Sequence, residues 1–169
     1  EYDFEFNFSA DDIAKLGEGD YPTSVSVKSV YGPSVLERAE VEKKVIIDIE
    51  PPTISIKDLS GDGVINILEK DAGIQVSGTT NAETGQKVKI SLLDPTTGNV
   101  ISSYAEQETT VSNGSWSIVL SSENFPLSEF KIKAEVENAA GNKNSSTSNT
   151  IPIDFIAPTA VISDNISGT

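Results

Sequence analysis

The feature that most constrains the fold of this 169-residue chain is an internal repeat. The segments 45–58 and 150–164 share a pattern of apolar residues, aspartates, a proline and a threonine. Every matched pair lies 106 residues apart: Asp48 and Asp154, Pro52 and Pro158, Thr53 and Thr159, and Asp58 and Asp164. A period of about 100 residues is the usual size of a whole domain, so the repeat predicts domains in tandem.

The repeat also predicts where the modules begin and end. Residues 1–49 are expected to be the C-terminal half of one module, residues 50–154 a complete module, and residues 155–169 the start of a third. A weaker similarity between 21–32 and 130–141, each an alternating strand followed by a turn, supports this division. Two interpretations remain open: the chain is a window of a longer array, or strands of a neighbouring chain complete the first segment.

Within the complete module, short strands alternate with turns. Apolar and polar residues alternate, which predicts strands at 53–57, 73–79, 87–93, 115–120 and 130–137, and a last strand ending at Asp154. A further strand at 100–104 is predicted to pair back after the turn at 94–99. Clusters of Gly, Asn, Asp, Ser and Pro predict turns at 94–99, 112–115 and 138–142. About seven strands in a module of this size predict an all-β fold of tandem immunoglobulin-like β-sandwiches. Helical turns are expected only at 11–16 and 66–70.

The alternation also predicts the core. The residues expected to face inwards are Ile74, Val76, Gly78, Val88, Ile90, Leu92, Phe130, Ile132, Ala134 and Val136. Trp116, the only tryptophan, has apolar neighbours at every second position, so we expect it to anchor the core between the two sheets. The alternative is a platform on which a carbohydrate stacks.

Composition argues against catalysis. The chain has no Cys, no His and no Met. Without Cys there is neither a disulfide nor a thiolate nucleophile, and without His the commonest general base and the commonest zinc ligand are missing. Carboxylate pairs or a Ser–Lys dyad remain as chemical options. The sequence nevertheless predicts that the protein is not an enzyme.

The charge of the chain limits the classes of partner that it can bind. The net charge is −14, with 26 acidic and 12 basic residues, and such a surface repels a phosphate backbone. No uninterrupted apolar stretch exceeds three residues, which predicts no membrane insertion. Dense carboxylates suit divalent cations, and calcium takes oxygen ligands. The alternative is that these carboxylates only keep the protein soluble.

One motif carries specific chemistry. Residues 58–69 match the twelve-residue calcium loop of EF-hands, D-x-[DNS]-x-[DN]-G-x5-E, with Gly63 at the sharp bend and Ile65 as the apolar anchor. The predicted Ca2+ ligands are Asp58, Ser60, Asp62, the backbone carbonyl of Val64, Asn66 and Glu69. The alternative is an Asp- and Gly-rich turn that binds no metal.

The position of the loop suggests a mechanical role. It follows the linker that contains Asp48 within about ten residues, so we expect it at the end of the module that meets the preceding one. Asp48 is therefore added to the predicted ligands, and Asp154 and Asp164 would repeat the arrangement at the next junction. A cation at a junction would convert a hinge between modules into a rigid connection.

The segments 61–69, 76–79, 85–88, 114–117 and 138–142 resemble the bacterial immunoglobulin-like repeats of giant surface adhesins of the RTX and BapA type. Over residues 1–48 the resemblance is weaker. It implies export by type I secretion, attachment to the bacterial cell surface, and a calcium-dependent array that holds a binding tip away from the cell. The family commonly has Asp where this chain has Asn138, so the resemblance does not carry a ligand over to that turn.

Together these patterns predict an extender repeat of an extracellular bacterial adhesin, active in cell adhesion or biofilms. Its expected partners are the neighbouring modules of the same polypeptide, and calcium near the module junctions stiffens it. Two alternatives remain. One is a filament subunit that assembles with like chains by strand exchange, and the other is a module that itself recognises a glycan or a protein.

Overall fold

The computed structural model describes residues 7–31, 34–57, 59, 62–156 and 159. Contacts divide the chain into two compact units, Glu1–Glu50 and Pro51–Thr169. No helix in the described part of the chain is long and apolar enough to cross a membrane. The division falls close to the predicted start of the complete module, whereas most of the predicted third module lies outside the described residues.

Within residues 7–31 and 34–50, the first unit contains a short helix and two paired strands. Helix α1 (Ala10–Leu16) begins at Ser9, whose hydroxyl accepts a hydrogen bond from the backbone N–H of Asp12 while the Asp12 carboxylate accepts one from the backbone N–H of Ser9. This reciprocal pair is a capping box, which satisfies two otherwise unpaired N–H groups. Strands β1 (Gly19–Tyr31) and β2 (Ser34–Ile47) pair antiparallel along their whole length, with one irregularity between Val27 and Ser29.

The second unit is a two-sheet sandwich with one helical turn. Its elements, in chain order, are β3 (Ile54–Ile56), β4 (Ile65–Asn66), α2 (Ile67–Ala72), β5 (Ile74–Thr80), β6 (Lys87–Leu93), β7 (Gln107–Thr110), β8 (Ser115–Leu120), β9 (Lys131–Glu137), β10 (Lys143–Thr147) and β11 (Ile153–Asp154). One sheet has the antiparallel order β10-β9-β6-β7 and the other β3-β5-β8. A third, two-residue pairing joins β4 and β11 in parallel.

The core lies between the two larger sheets. The residues predicted to face inwards are all buried, and the largest of those that are fully buried are Phe130, Ile90, Leu92 and Ile132. Trp116 is 3% exposed and belongs to the same cluster, which confirms its role as a core anchor. Phe125 packs edge-on against both Tyr104 and Phe130, with ring centroids 5.8 and 5.3 Å away.

Side-chain hydrogen bonds join the two sheets along both lateral edges of the sandwich. On one side the Asn144 amide donates to the carbonyl of Pro52 at 2.8 Å, which ties β10 to the start of β3. On the other side the Thr109 hydroxyl donates to the carbonyl of Ser117 at 2.7 Å, which ties β7 to β8. These bonds satisfy carbonyl groups that an open sheet edge would otherwise present.

Two of the strand predictions are wrong. Residues 100–104 do not form a strand, because only Val100 makes an isolated bridge to Leu93; the next strand is β7, further along the chain. The chain instead turns so that Tyr104 is buried and its hydroxyl donates to the carbonyl of Ser121 at 3.1 Å. The predicted last strand is two strands, β10 and β11, separated by residues 148–152.

The turn at 112–115 forms as predicted, but it does not make a simple hairpin. Ser112 and Ser115 pair across it, and Asn113 adopts a positive φ of 50°. However, β7 before the turn joins the sheet of β6, whereas β8 after it joins the sheet of β5. The turn therefore carries the chain from one sheet to the other. Alternation along a strand shows which residues face inwards, but it does not show which sheet the strand joins.

The chain enters and leaves the sandwich at opposite ends. Thr53, just before β3, is bound at one end, where its N–H donates to the Asn81 side chain at 2.6 Å and its carbonyl accepts from the Thr80 hydroxyl at 2.6 Å. β5 runs from Ile74 to Thr80, a length of about 20 Å at the rise of an extended strand. β11, through which the chain leaves, pairs with β4 near the Ile74 end.

Candidate calcium-binding loop

The predicted calcium loop lies at the end of the sandwich where the chain leaves it. Gly63, Val64 and Ile65 line an open cleft of about 290 Å³ together with Glu69 and the start of β5. Ile65 is 5% exposed and belongs to the core cluster, so it anchors the loop as predicted for its position. Ile65 therefore fixes the loop to the core, and among its described polar side chains those of Asp62 and Asn66 are exposed.

The bend of the loop has the backbone that its sequence predicts. Gly63 has φ +82°, a conformation that residues with a side chain rarely adopt, and a Cβ there would meet no atom within 4 Å. The requirement for glycine at this position is thus conformational rather than steric. One residue earlier, the Asp62 carboxylate accepts a hydrogen bond from the N–H of Val64 at 2.9 Å. This bond directs an acidic side chain towards the inside of the bend.

A capping box joins the last two predicted ligands. Asn66 is the N-cap of α2, and its side-chain oxygen accepts from the N–H groups of Leu68 at 2.9 Å and Glu69 at 3.0 Å. In return the Glu69 carboxylate accepts from the N–H of Asn66 at 3.0 Å. The Glu69 side chain is therefore turned back from the helix towards the loop, which is the direction that a ligand at the twelfth position requires.

The oxygen atoms that the described residues offer are of the type that binds calcium. Asp62, Asn66 and Glu69 offer side-chain oxygens and Val64 a carbonyl, and oxygen is the ligand type that calcium prefers. The hydrogen bonds already made do not exhaust these groups, because a carboxylate has two oxygens and about four lone-pair sites. Calcium bound here would supply positive charge that holds the acidic side chains of the loop together.

The structure brings only part of the predicted set together. Asp58 and Ser60, the first two predicted ligands, lie outside the described residues. Among the residues that are described, no three Asp, Glu, His or Cys side chains gather in a group that could hold a metal ion. The ligand set from 58 to 69 therefore stays a prediction.

The exit strand is a neighbour of the loop that the sequence did not indicate. Ile153 and Asp154 of β11 pair in parallel with Ile65 and Asn66, and the N–H of Ile65 donates to the carbonyl of Pro152 at 3.0 Å. Two-residue parallel pairings carry no periodicity, so the sequence pattern could not reveal this one. The candidate loop is thus hydrogen-bonded to the segment through which the chain leaves the module.

A second contact reinforces this connection. The ammonium group of Lys70 on α2 lies 5.9 Å from the ring centroid of Phe155, the residue after β11. A cation over an aromatic ring at this distance is weakly attractive. The helix that follows the loop therefore also contacts the exit segment.

The expected position of the loop is wrong in one respect. We expected it at the end of the module that meets the preceding one, because it follows that linker closely in sequence. β3 runs away from the Thr80 end of β5, since Ile54 pairs with Thr80 and Lys57 bonds to Ser77, and Gly63 to Ile65 then lie beside Ile74 at the other end. A short separation along an extended strand is a large separation in space.

Asp48 belongs to the first unit, and its role as a ligand stays a prediction. Its carboxylate accepts from the N–H of Glu50 at 3.1 Å, and its repeat partner Asp154 accepts from the N–H of Ile156 at 2.9 Å in the same way. The shared feature of the repeat is thus a local turn. Desolvation, and then the charges of Glu50 and Asp48, raise the pKa of the nearby Glu18 above its ordinary value.

No protein-family model and no curated protein matches the chain, but solved structures do. A bacterial immunoglobulin-like domain from the M. primoryensis ice-binding adhesin is 24% identical, covering 62% of this chain and 98% of that one, with a TM-score of 0.41. The tetra-tandem repeat in the extending region of a large adhesion protein is 19% identical, covering 85% of this chain and 34% of that one, with a TM-score of 0.53.

A third similar structure is a Ca2+-stabilised adhesin that helps an Antarctic bacterium reach out and bind ice. It is 20% identical, covering 79% of this chain and 32% of that one, with a TM-score of 0.42. This chain matches about a third of the length of each of the last two structures. The structural neighbours are therefore bacterial immunoglobulin-like domains and tandem repeats of large adhesins. The all-β fold of this chain is shared with the tandem repeat that has the TM-score of 0.53.

Proposed function

We propose that this chain is an extender region of a bacterial cell-surface adhesin, without catalytic activity, and that calcium bound by the loop at 58–69 stiffens it. The observation that carries the proposal is the placement of Thr53 and Asp154 at opposite ends of the sandwich. Modules whose ends lie far apart add their lengths when they are joined in tandem. A module whose ends lay side by side would fold the array back on itself.

The position of the loop determines which junction calcium stiffens. Its described part is hydrogen-bonded to β11, so an ion that orders the loop also orders the segment through which the chain leaves the module. The proposed effect is therefore on the junction with the following module. Location outside the cell, type I secretion and a role in biofilms belong to the same proposal and rest on the resemblance of the sequence to giant adhesins.

The proposal is tested by following two pairs of spin labels by pulsed electron spin resonance. The chain has no Cys, so each pair is introduced by two substitutions to Cys at exposed positions. Glu123→Cys with Thr159→Cys reports on the exit junction, and Lys44→Cys with Glu123→Cys reports on the preceding junction. Calcium is expected to narrow the distance distribution of the first pair.

The two pairs of spin labels also distinguish binding of calcium by Asp48 from binding by the loop alone. If Asp48 binds the ion, calcium narrows the distribution of the Lys44–Glu123 pair, and Asp48→Asn abolishes that effect. If only the loop binds it, Asp62→Asn abolishes the effect on the exit pair. No change in either pair between calcium and a chelator would contradict calcium stiffening. Thermal unfolding checks that the substituted proteins remain folded.

A further inference from the structure

The turn between β7 and β8 contains the only Asn–Gly pair of the chain, Asn113–Gly114. The N–H of Ser112 donates to the carbonyl of Ser115 at 2.8 Å, and the N–H of Ser115 donates to the carbonyl of Ser112 at 3.0 Å. Between them, Asn113 and Gly114 both have positive φ, of 50° and 74°. Asn followed by Gly favours this backbone in a two-residue turn. The shape of the turn therefore accounts for both residue types.

The side-chain amide of Asn113 is unrestrained. It is exposed, and it makes no hydrogen bond to any residue that the structure describes, although the backbone N–H of Asn113 donates to the Thr84 hydroxyl at 3.3 Å. Other Asn side chains are held in place: that of Asn66 accepts two helix N–H groups, and that of Asn144 donates to the carbonyl of Pro52. The Asn113 amide can therefore rotate about its side-chain bonds.

The backbone nitrogen that follows Asn113 is also accessible. The N–H of Gly114 donates to none of the described residues, whereas its carbonyl accepts from the N–H of Thr80 at 3.0 Å. Because Gly has no Cβ, no side chain hinders approach to this nitrogen. An unbonded backbone nitrogen thus lies next to an unrestrained side-chain amide.

We propose that Asn113 is a site of spontaneous deamidation through a cyclic succinimide. The nitrogen of Gly114 attacks Cγ of Asn113, so an N–Cγ bond forms and the Cγ–Nδ2 bond breaks. Nδ2 leaves as ammonia and takes the proton that the Gly114 nitrogen gives up. Water then opens the ring at either carbonyl. Opening at Cγ leaves Asp, and opening at the backbone carbonyl of residue 113 leaves isoaspartate, in which the main chain runs through the former side chain.

The modification would alter the connection between the two sheets. Isoaspartate adds one carbon atom to the main chain and places a new negative charge on it. Only two residues separate Ser112 from Ser115, so the added atom disturbs their pairing and the bond from Thr80 to the Gly114 carbonyl. Because this turn carries the chain from one sheet to the other, we expect deamidation to loosen the sandwich at the Thr80 end. The proposal goes beyond the extender function and does not depend on calcium.

The test incubates the full chain in mildly alkaline buffer, below its unfolding transition, and follows each Asn by tandem mass spectrometry of its proteolytic peptides. Electron-transfer fragmentation distinguishes isoaspartate from Asp. Asn124 is the internal control, because it is also exposed and has a φ of 53°, but Phe125 follows it and the N–H of Phe125 donates to the carbonyl of Ser122 at 3.4 Å. We expect Asn113 to convert, mainly to isoaspartate, while Asn124 stays unconverted.

Hydrogen exchange of the Thr80 amide reports the structural effect. We expect this amide to exchange at least about tenfold faster in the converted protein than in the fresh protein. Asn113→Gly is the matched variant, because Gly–Gly also forms this type of turn but has no side-chain amide from which a ring could close. Its Thr80 amide should exchange at the same rate before and after incubation.

Three results would overturn the proposal. The first is an unconverted Asn113 in the folded chain under conditions in which a free peptide of residues 111–117 converts, since the turn would then protect the pair. The second is equal conversion of Asn124. The third is unchanged exchange of Thr80 after conversion of Asn113, which would contradict the loosening of the sandwich. All three are read in a chelator, so failure here is distinguishable from failure of calcium stiffening.

Discussion

Gly78 and Trp116 lie opposite each other on β5 and β8, and the indole ring of Trp116 covers the position where Gly78 has no side chain. A Cβ at Gly78 would lie 2.5 Å from the Trp116 ring and 1.9 Å from the backbone carbonyl oxygen of Ser55. Three strands of one sheet therefore approach each other closely at a single glycine. The glycine is required by the space available and not by its φ angle.

We expect Gly78→Ala to destabilise the second unit by about 3 kcal/mol, because the new methyl group forces both a backbone carbonyl and a buried ring to move. Urea denaturation followed by Trp116 fluorescence measures the change. Ser77→Ala, at the neighbouring position on the other face of the strand, is the matched control and should change stability by less than about 0.5 kcal/mol. Equal stability of Gly78→Ala and the control would show that the close approach is not rigid.

Tyr104→Phe tests the turn that replaces the predicted strand at 100–104. The Tyr104 hydroxyl donates to the carbonyl of Ser121 and accepts a hydrogen bond from the Gln107 amide. Its loss leaves two part-buried polar groups without this partner, which we expect to cost about 1–2 kcal/mol. The measurement is thermal unfolding by calorimetry, with Ser103→Ala at the exposed neighbouring position as the control. A loss no larger than that of the control would mean that packing of the ring alone holds the turn.

Acid should weaken the hairpin turn between β6 and residue 100. The Asp94 carboxylate accepts hydrogen bonds from the N–H of Thr97 at 2.7 Å, from the hydroxyl of Thr97 at 3.0 Å and from the N–H of Thr96 at 3.0 Å. These bonds favour the charged form and lower the pKa of Asp94. A lowered pKa in the folded state contributes stability above the unfolded value of about 3.9, and this contribution is lost as pH falls through the folded value.

The difference in stability between the wild type and Asp94→Asn should therefore become smaller as pH falls from about 5 to below the lowered pKa. Asn still accepts the hydrogen bonds of the turn but does not titrate, so the pH-dependent part of the difference belongs to Asp94. Melting temperature measured against pH gives the result. Glu129→Gln, on the exposed loop before β9, serves as the control. A difference independent of pH would contradict the assignment.

Glu69→Gln separates metal binding from helix capping. Gln at this position can still accept the hydrogen bond from the N–H of Asn66, because Gln also completes a capping box. In the presence of a chelator we expect stability within about 0.5 kcal/mol of the wild type. In calcium, however, the variant should lose most of the rise in melting temperature, because a neutral amide replaces the bidentate carboxylate.

The converse substitution is Asn66→Ala, which removes the N-cap. It should cost about 1 kcal/mol even in a chelator, because the N–H groups of Leu68 and Glu69 lose their acceptor. If the wild type and both variants each melted at the same temperature in calcium as in a chelator, the segment would be a capped helical turn without a metal. Calorimetric titration of both variants with calcium makes the comparison.

Alternation predicted the strands that form the core but not all of the connections. Val88, Ile90 and Leu92 repeat at every second position, and this period alone shows that they share a face. A strand at 100–104 was predicted from the turn before it, but burial of Tyr104 with its hydroxyl bonded to Ser121 outweighs strand pairing there. Local pattern does not contain such contacts between distant residues.

The same limit explains which features of the candidate site could be predicted from the sequence. The bend at Gly63 and the anchor at Ile65 follow from residue type and spacing, so the sequence was sufficient to predict them. The pairing of Asp154 with Asn66 joins residues far apart in the chain, and it depends on the path of the whole sandwich. The bend and the anchor therefore follow the prediction, the ligation of calcium stays a prediction, and the described part of the loop lies at the other end of the module from the one expected.

The central claim is that calcium orders the loop and, through it, the exit of the module. Backbone hydrogen exchange of the full chain, with calcium and with a chelator, tests this most directly, read at β4, α2 and β11. We predict that calcium slows exchange in all three elements, and that Asp62→Ala abolishes the effect while β6 and β9 remain unchanged. Slower exchange confined to α2, or none in any of the three, would contradict the claim.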